Sequence, residues 1–150
     1  MSDDGIGVLL AQELKKLRWP PGVQVLEIGT SVFNYQEEIS LSQHVIVVDA
    51  VNAGGSPGCV YRLGVEDIVE NPERDPHNVS ILDIIRLARQ VKGLPETVTI
   101  YGVQPGDLSF GGGLTPAVAC ALSKITFSIT NDVGRLIKKG RVNPTETPFL

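Results

Sequence analysis

The chain has 150 residues, of which 42% are apolar and 20% charged, a composition that fits one globular domain and excludes disorder over most of the length. Thirteen Lys and Arg against 17 Asp and Glu leave a net charge of −4 with no basic cluster, which argues against a nucleic-acid partner. Two cysteines, Cys59 and Cys120, are too few for a disulfide framework; no apolar run reaches the roughly 18 residues of a membrane span; and the acidic start lacks a signal-type apolar stretch. These features predict a soluble cytoplasmic protein with no membrane partner.

In chain order, Asp3 and Asp4 precede apolar residues at Ile6, Leu9, Leu10, Leu14 and Leu17, the spacing of one helix face. Lys15, Lys16 and Arg18 suit its last turn, and Pro20-Pro21 stops it. Val23 to Ile28 reads as a short strand, and Phe33, Glu37, Glu38 and Ile39 as part of a second helix. Val45 to Val48 is an unbroken β-branched run ending at Asp49, the pattern of a strand covered on both faces. After a Gly- and Pro-rich turn, Cys59 to Leu63 reads as a hairpin-type strand, and the acidic stretch Glu66 to Pro76 as a mobile loop. Ser80 to Lys92 is predicted helical and closed by Gly93, Thr97 to Val103 a buried strand, and Pro116 to about Lys139 a long helix. The tail 141–150, with two prolines, is expected to be loosely held. Such alternation predicts one domain over 1–150, a three-layer α/β/α sandwich with a mostly parallel twisted sheet.

In such sheets, function gathers beyond the carboxyl ends of the strands. Asp49 lies at such an end, Asp4 at a helix start, and His77 in the loop before the third predicted helix. If they converge, two carboxylates and an imidazole form a mixed oxygen and nitrogen set that suits nickel or zinc and leaves coordination positions open. Each also has a plainer reading: Asp4 as a helix-dipole acid, Asp49 as a cap on the following loop, His77 as an exposed loop histidine. Cys59 and Cys120 read as core residues, and His44 as a surface residue. There is no Gly-x-Ser-x-Gly nucleophile motif and no Walker or dinucleotide glycine loop, which argues against a serine hydrolase and a nucleotide-binding domain.

Five short motifs occur in a fixed order. They are Asp3-Asp4-Gly5-Ile6-Gly7-Val8; Val45 to Val51 followed by Pro57-Gly58; Pro76-His77 before Ser80-Ile81-Leu82-Asp83; Tyr101-Gly102-Val103-Gln104-Pro105; and Gly113 to Val118. Together they give a sequence that resembles the hydrogenase maturation proteases, endopeptidases that trim the C-terminus of nickel–iron hydrogenase large subunits. The resemblance implies that Asp4, Asp49 and His77 bind the metal. It further implies that this metal is nickel supplied by the substrate, a precursor large subunit, rather than permanently held. Whether nickel polarises the carbonyl or a carboxylate such as Asp49 acts as general base stays open at this stage.

Two departures accompany the resemblance. The family opens with a hydrophobic strand and a Gly-Asn loop ahead of the acidic motif, and here Met1 stands in that place, so the first family strand is expected to be missing. A sheet short of an interior strand predicts a gap, a rearrangement, or oligomerisation across the gap. The family also has Asp-Gly-Gly-Thr after its second strand, where this chain has Glu27-Ile28-Gly29-Thr30. A non-catalytic relative that binds a metallated partner without cleaving it is the alternative reading.

Overall fold

A strand that is apolar on both of its alternating faces needs a layer on each side. The computed structural model, which describes residues 6–29, 32–51, 53–67, 80–104, 116–138 and 147–149, supplies both. Its elements in chain order are α1 (Ile6–Lys15), β1 (Val23–Val25), α2 (Gln36–Leu41), β2 (His44–Ala50), β3 (Val60–Leu63), α3 (Ile81–Lys92), β4 (Thr97–Val103), α4 (Pro116–Lys138) and β5 (Thr147–Phe149). They build one five-stranded sheet in the order β1-β5-β2-β4-β3. All neighbours are parallel except β3, which runs antiparallel to β4. The centre is β2 on β4, in register from His44 opposite Thr97 to Ala50 opposite Val103.

Alternation along these two strands sorts the core into two apolar layers. Ile46, Tyr101 and Val103 join Leu10 and Leu14 of α1 and Val118, Ala121, Ile125, Ile129 and Val133 of α4. Val45, Val47, Val98 and Ile100 join Ile39 of α2 and Ile84 and Ile85 of α3. The sandwich therefore has α1 and α4 on one face and α2 and α3 on the other, as expected. Each fully buried isoleucine in these layers contributes about 1.5–3 kcal/mol of transfer free energy.

Local chemistry sets the helix ends. Ser80 caps α3: its hydroxyl accepts from the Asp83 amide while the Asp83 carboxylate accepts from the Ser80 amide, and Gly93 closes the helix at φ 71°. The first helix ends at Lys15, earlier than Pro20 implied, because the Trp19 indole donates to the Leu14 carbonyl at 2.8 Å and satisfies that terminus. The second is split into a 3-10 turn, Val32–Tyr35, and the short α2.

Several expectations change. The strand read over Val23 to Ile28 shortens to Val23–Val25. The third strand pairs with β4 rather than with its sequence neighbour β2, Val60 lying opposite Val103. His44 is buried, not at the surface: it opens β2, and its Nδ1 lies 2.6 Å from Thr97 Oγ1 across the ladder. Cys120 is exposed rather than in the core, because it falls off the Val118, Ala121, Ile125, Ile129 stripe of α4. Within the tail 141–150, Thr147–Phe149 form β5 between β1 and β2, and the rest of the tail lies outside the described residues. The physical reason is that β1 and β2 do not pair with each other, and a strand between them gives each a main-chain partner, β1 from Val23 to Val25 and β2 at Ile46.

On α4, a Cβ added at Gly134 meets nothing within 4 Å. Gly134→Ala is therefore expected to stabilise the chain by about 0.5–1 kcal/mol through helix propensity alone, read as a rise in the denaturant midpoint.

Candidate functional site

Of the three residues singled out in the sequence, Asp49 lies among the described residues, and Asp4 and His77 lie outside them. Asp49 is the penultimate residue of β2 and stands opposite Gly102 of β4. It is exposed, and its Oδ1 accepts the Ala50 amide at 2.8 Å. The β2 strand thus delivers a carboxylate to the carboxyl rim of the sheet, where α/β proteins place their chemistry. Among the described residues, no three His, Cys, Asp or Glu side chains gather into a metal-holding group.

The start of α1 is held against this rim. A Cβ at Gly7 would stand 3.0 Å from the Val48 carbonyl oxygen, one residue before Asp49. Only a glycine lets the helix come this close to a strand backbone without a shift. Here the two effects of alanine oppose each other. Helix propensity favours it by about 1 kcal/mol, whereas overpacking against an immobile carbonyl costs about 1–3 kcal/mol. Gly7→Ala is expected to destabilise the chain by about 1 kcal/mol, the opposite sign to Gly134→Ala in the same denaturation assay.

The loop after Asp49 is shaped by Gln104, which the sequence shows only as part of the motif Tyr101 to Pro105. Gln104 is buried, and its Oε1 accepts from the Ala53 amide at 2.9 Å and the Gly55 amide at 3.3 Å. Its backbone carbonyl accepts from Gly58 and its amide donates to the Cys59 carbonyl, both at 2.9 Å. Val51 donates to the Val103 carbonyl at 2.9 Å, which turns the chain over β4 directly after Asp49. A Cβ at Gly102 would lie 2.7 Å from Val51 Cγ2, so the crossing needs glycine there. Gly58, at φ 86°, fits a turn against the start of α4, where a Cβ would meet the Ala117 carbonyl oxygen at 2.7 Å. The signal for Gln104 was present in the sequence: like Asp49, it is a polar residue directly after a buried apolar run, and such a group needs partners. Gln104→Ala is expected to cost about 1 kcal/mol and to speed amide exchange at Ala53 and Gly55, measured by NMR hydrogen exchange.

A second polar cluster lies between β3, β4 and α4. Asp132 is buried on α4 and accepts hydrogen bonds from the Tyr101 hydroxyl and from Arg135, with Arg62 Nη2 at 3.5 Å. Arg62 Nε donates to the Tyr101 hydroxyl at 3.3 Å, and this bond raises the Arg62 pKa above its ordinary value. A cleft beside it is lined by His44 and Thr97, at the starts of β2 and β4, on the side of the sheet away from Asp49. This cluster joins α4 to the sheet.

The comparisons with known proteins agree with this architecture. The chain is 29% identical over 140 residues to the hydrogenase expression/formation protein HupD of Rhodobacter capsulatus, covering 90% of this chain and 65% of that one. It is 28% identical over 122 residues to the hydrogenase 2 maturation protease of Escherichia coli, covering 79% and 74%. The chain thus spans just under two thirds of the length of the first curated relatives it matches. In fold it is similar to the hydrogenase maturating endopeptidase HybD from E. coli, with a TM-score of 0.77 at 24% identity over 93% of this chain and 87% of that one. No helix among the described residues is long and apolar enough to cross a membrane. The family model for hydrogenase maturation proteases matches residues 8–132, taking in β2 with Asp49, the Gln104 loop and most of α4, and the chain belongs to that family.

Proposed function

We propose that the chain is a processing endopeptidase that recognises nickel in the precursor large subunit of a nickel–iron hydrogenase and removes its C-terminal peptide. The observation that carries this reading is an exposed carboxylate, Asp49, at the carboxyl rim of the central strand, with the start of α1 packed against the preceding carbonyl. Asp4 precedes that helix in sequence, and His77 precedes α3. In this proposal Asp4, Asp49 and His77 bind nickel that the precursor already holds, and the open coordination positions take ligands from the precursor itself.

The metal then serves as a template that fixes the scissile peptide bond at the site. A carboxylate removes a proton from water, and the water oxygen attacks the scissile carbonyl carbon. The carbon–nitrogen bond breaks, and the departing amine takes up the proton. Nickel leaves with the processed subunit. A cytoplasmic setting accords with the two free cysteines.

The test incubates the extended large subunit, nickel-loaded and nickel-free, with the chain, and measures the mass of its C-terminus. Cleavage confined to the nickel-loaded precursor is expected. Equal cleavage of both forms would overturn recognition of the metal.

A further inference from the structure

The face of α3 that α2 leaves uncovered is apolar. The α2 helix has 6 residues against the 12 of α3, and Leu87 and Val91, one turn apart on α3, remain 48% and 71% exposed. Phe33, in the 3-10 turn before α2, is 61% exposed. These three side chains line one cleft of about 580 Å³ between the two helices. Contiguous apolar surface of this kind marks an interaction site, where single scattered apolar residues do not. The same cleft holds charges of both signs: Glu37 and Glu38 on α2, and Lys92, the last residue of α3. Among the described residues none of the three makes an ion pair, with each other or with a further group. The Glu38 Oε2 is shut off from water with no hydrogen-bond partner, so its carboxylate gains by turning toward a cation brought into the cleft.

From these observations we propose that the cleft between α2 and α3 is the interface through which two copies of the chain pair about a two-fold axis. Such an axis sets one patch against itself, so a residue that meets a second is matched by the second meeting the first. In that arrangement Lys92 of each copy faces Glu37 and Glu38 of the other, and Phe33, Leu87 and Val91 of both copies close on one another. A foreign partner would need apolar side chains, a cation and an anion at matching positions; a second copy brings all of them by symmetry. Burial of the apolar residues supplies the affinity, and the crossed ion pairs fix the register. Lys92 precedes β4, whose first residue Thr97 stands opposite His44, so this end of the cleft lies at the far end of the sheet from Asp49. The proposal stands independently of whether the chain cleaves a precursor.

The experiment follows the full chain by sedimentation velocity over a concentration series. A monomer–dimer equilibrium is expected, and Val91→Asp should raise its dissociation constant by at least about tenfold, because a charge replaces an apolar group that pairing buries. That side chain is exposed in the single chain, so the fold is kept, which far-UV circular dichroism checks. Lys92→Glu alone and Glu37→Lys alone each set like charges against one another and should weaken pairing. Mixed in equal amounts, these two variants form a heterodimer in which positions 37 and 92 again carry opposite charges, and the dimer should return. A monomer at every concentration would overturn the proposal. So would a dimer that Val91→Asp leaves intact, since another face would then join the copies, and so would two charge variants that stay apart when mixed.

Discussion

Asp49→Asn should lower cleavage of the nickel-loaded precursor by about a hundredfold or more while leaving stability within about 0.5 kcal/mol. The two effects separate because of where the side chain sits. Asparagine keeps a carbonyl oxygen in the place of the Oδ1 that accepts the Ala50 amide, and the residue is exposed, so little packing is lost. What it lacks is negative charge and the capacity to take a proton or hold a metal as a carboxylate does. Cleavage is followed by the mass of the precursor's C-terminus, and stability by urea denaturation of the same preparations. Asp49→Glu restores charge with a longer reach, and its activity should lie between the two. Undiminished cleavage by Asp49→Asn would remove Asp49 from the site.

The larger effect on stability should come from the cluster under α4. The side chains of Arg62 and Arg135 are 58% and 65% exposed, so their ion pairs with Asp132 add little. The Tyr101 hydroxyl is different: it belongs to a buried side chain, and its hydrogen bond runs to a buried carboxylate. Asp132→Ala is expected to cost about 2–3 kcal/mol, because it removes a charged acceptor and strands a buried donor. Tyr101→Phe should cost about 1 kcal/mol, since Asp132 retains Arg135, and the double variant should cost less than the sum of the two.

The same pair predicts a pH dependence. Burial, and next the hydrogen bond to Asp132, raises the Tyr101 pKa above its ordinary value of 10.0. Between that value and the folded one, the folded chain keeps a proton that the unfolded chain has released. The contribution is thus complete below about pH 10 and is lost as pH rises through the folded pKa. Denaturant midpoints taken across this range should fall more steeply for the natural chain than for Tyr101→Phe, and equal slopes would count against the assignment.

Elements whose burial is written into a few adjacent residues were legible. The β4 strand was read with both ends correct, and α3 to within one residue at its start and with its Gly93 cap, because continuous β-branched runs and cap residues act locally. The extent of α4 was legible too, but its buried face was not: Cys120 was read inward, and no local rule names the partner of Asp132, Tyr101 on a strand 31 residues away. His44 was misplaced because a polar residue opening a strand gives no sign of the Thr97 hydroxyl that satisfies it. The β5 strand was illegible for a stronger reason. Three residues centred on proline carry no strand pattern, and what recruits them is the unpaired backbone of β1 and β2. Within the candidate site, Asp49 was legible as a carboxylate ending a buried run. The glycines that let α1 and the following loop close around that rim were visible only as motif letters until the carbonyl of Val48 and the side chain of Val51 stood beside them.

The strand order also dictates a sequence of assembly. The β2, β3 and β4 strands come from the middle of the chain and pair among themselves, whereas the Val23–Thr147 pair closes a loop over most of its length. Loop entropy makes the shorter closures faster and the longest one slowest. The sheet should therefore grow outward from β2 and β4, with β1 and β5 docking last, and the order reverses as the protein opens. That flank is the part of the sheet with the lowest local stability, so its amides should lose protection in fluctuations that leave the β2–β4 ladder intact.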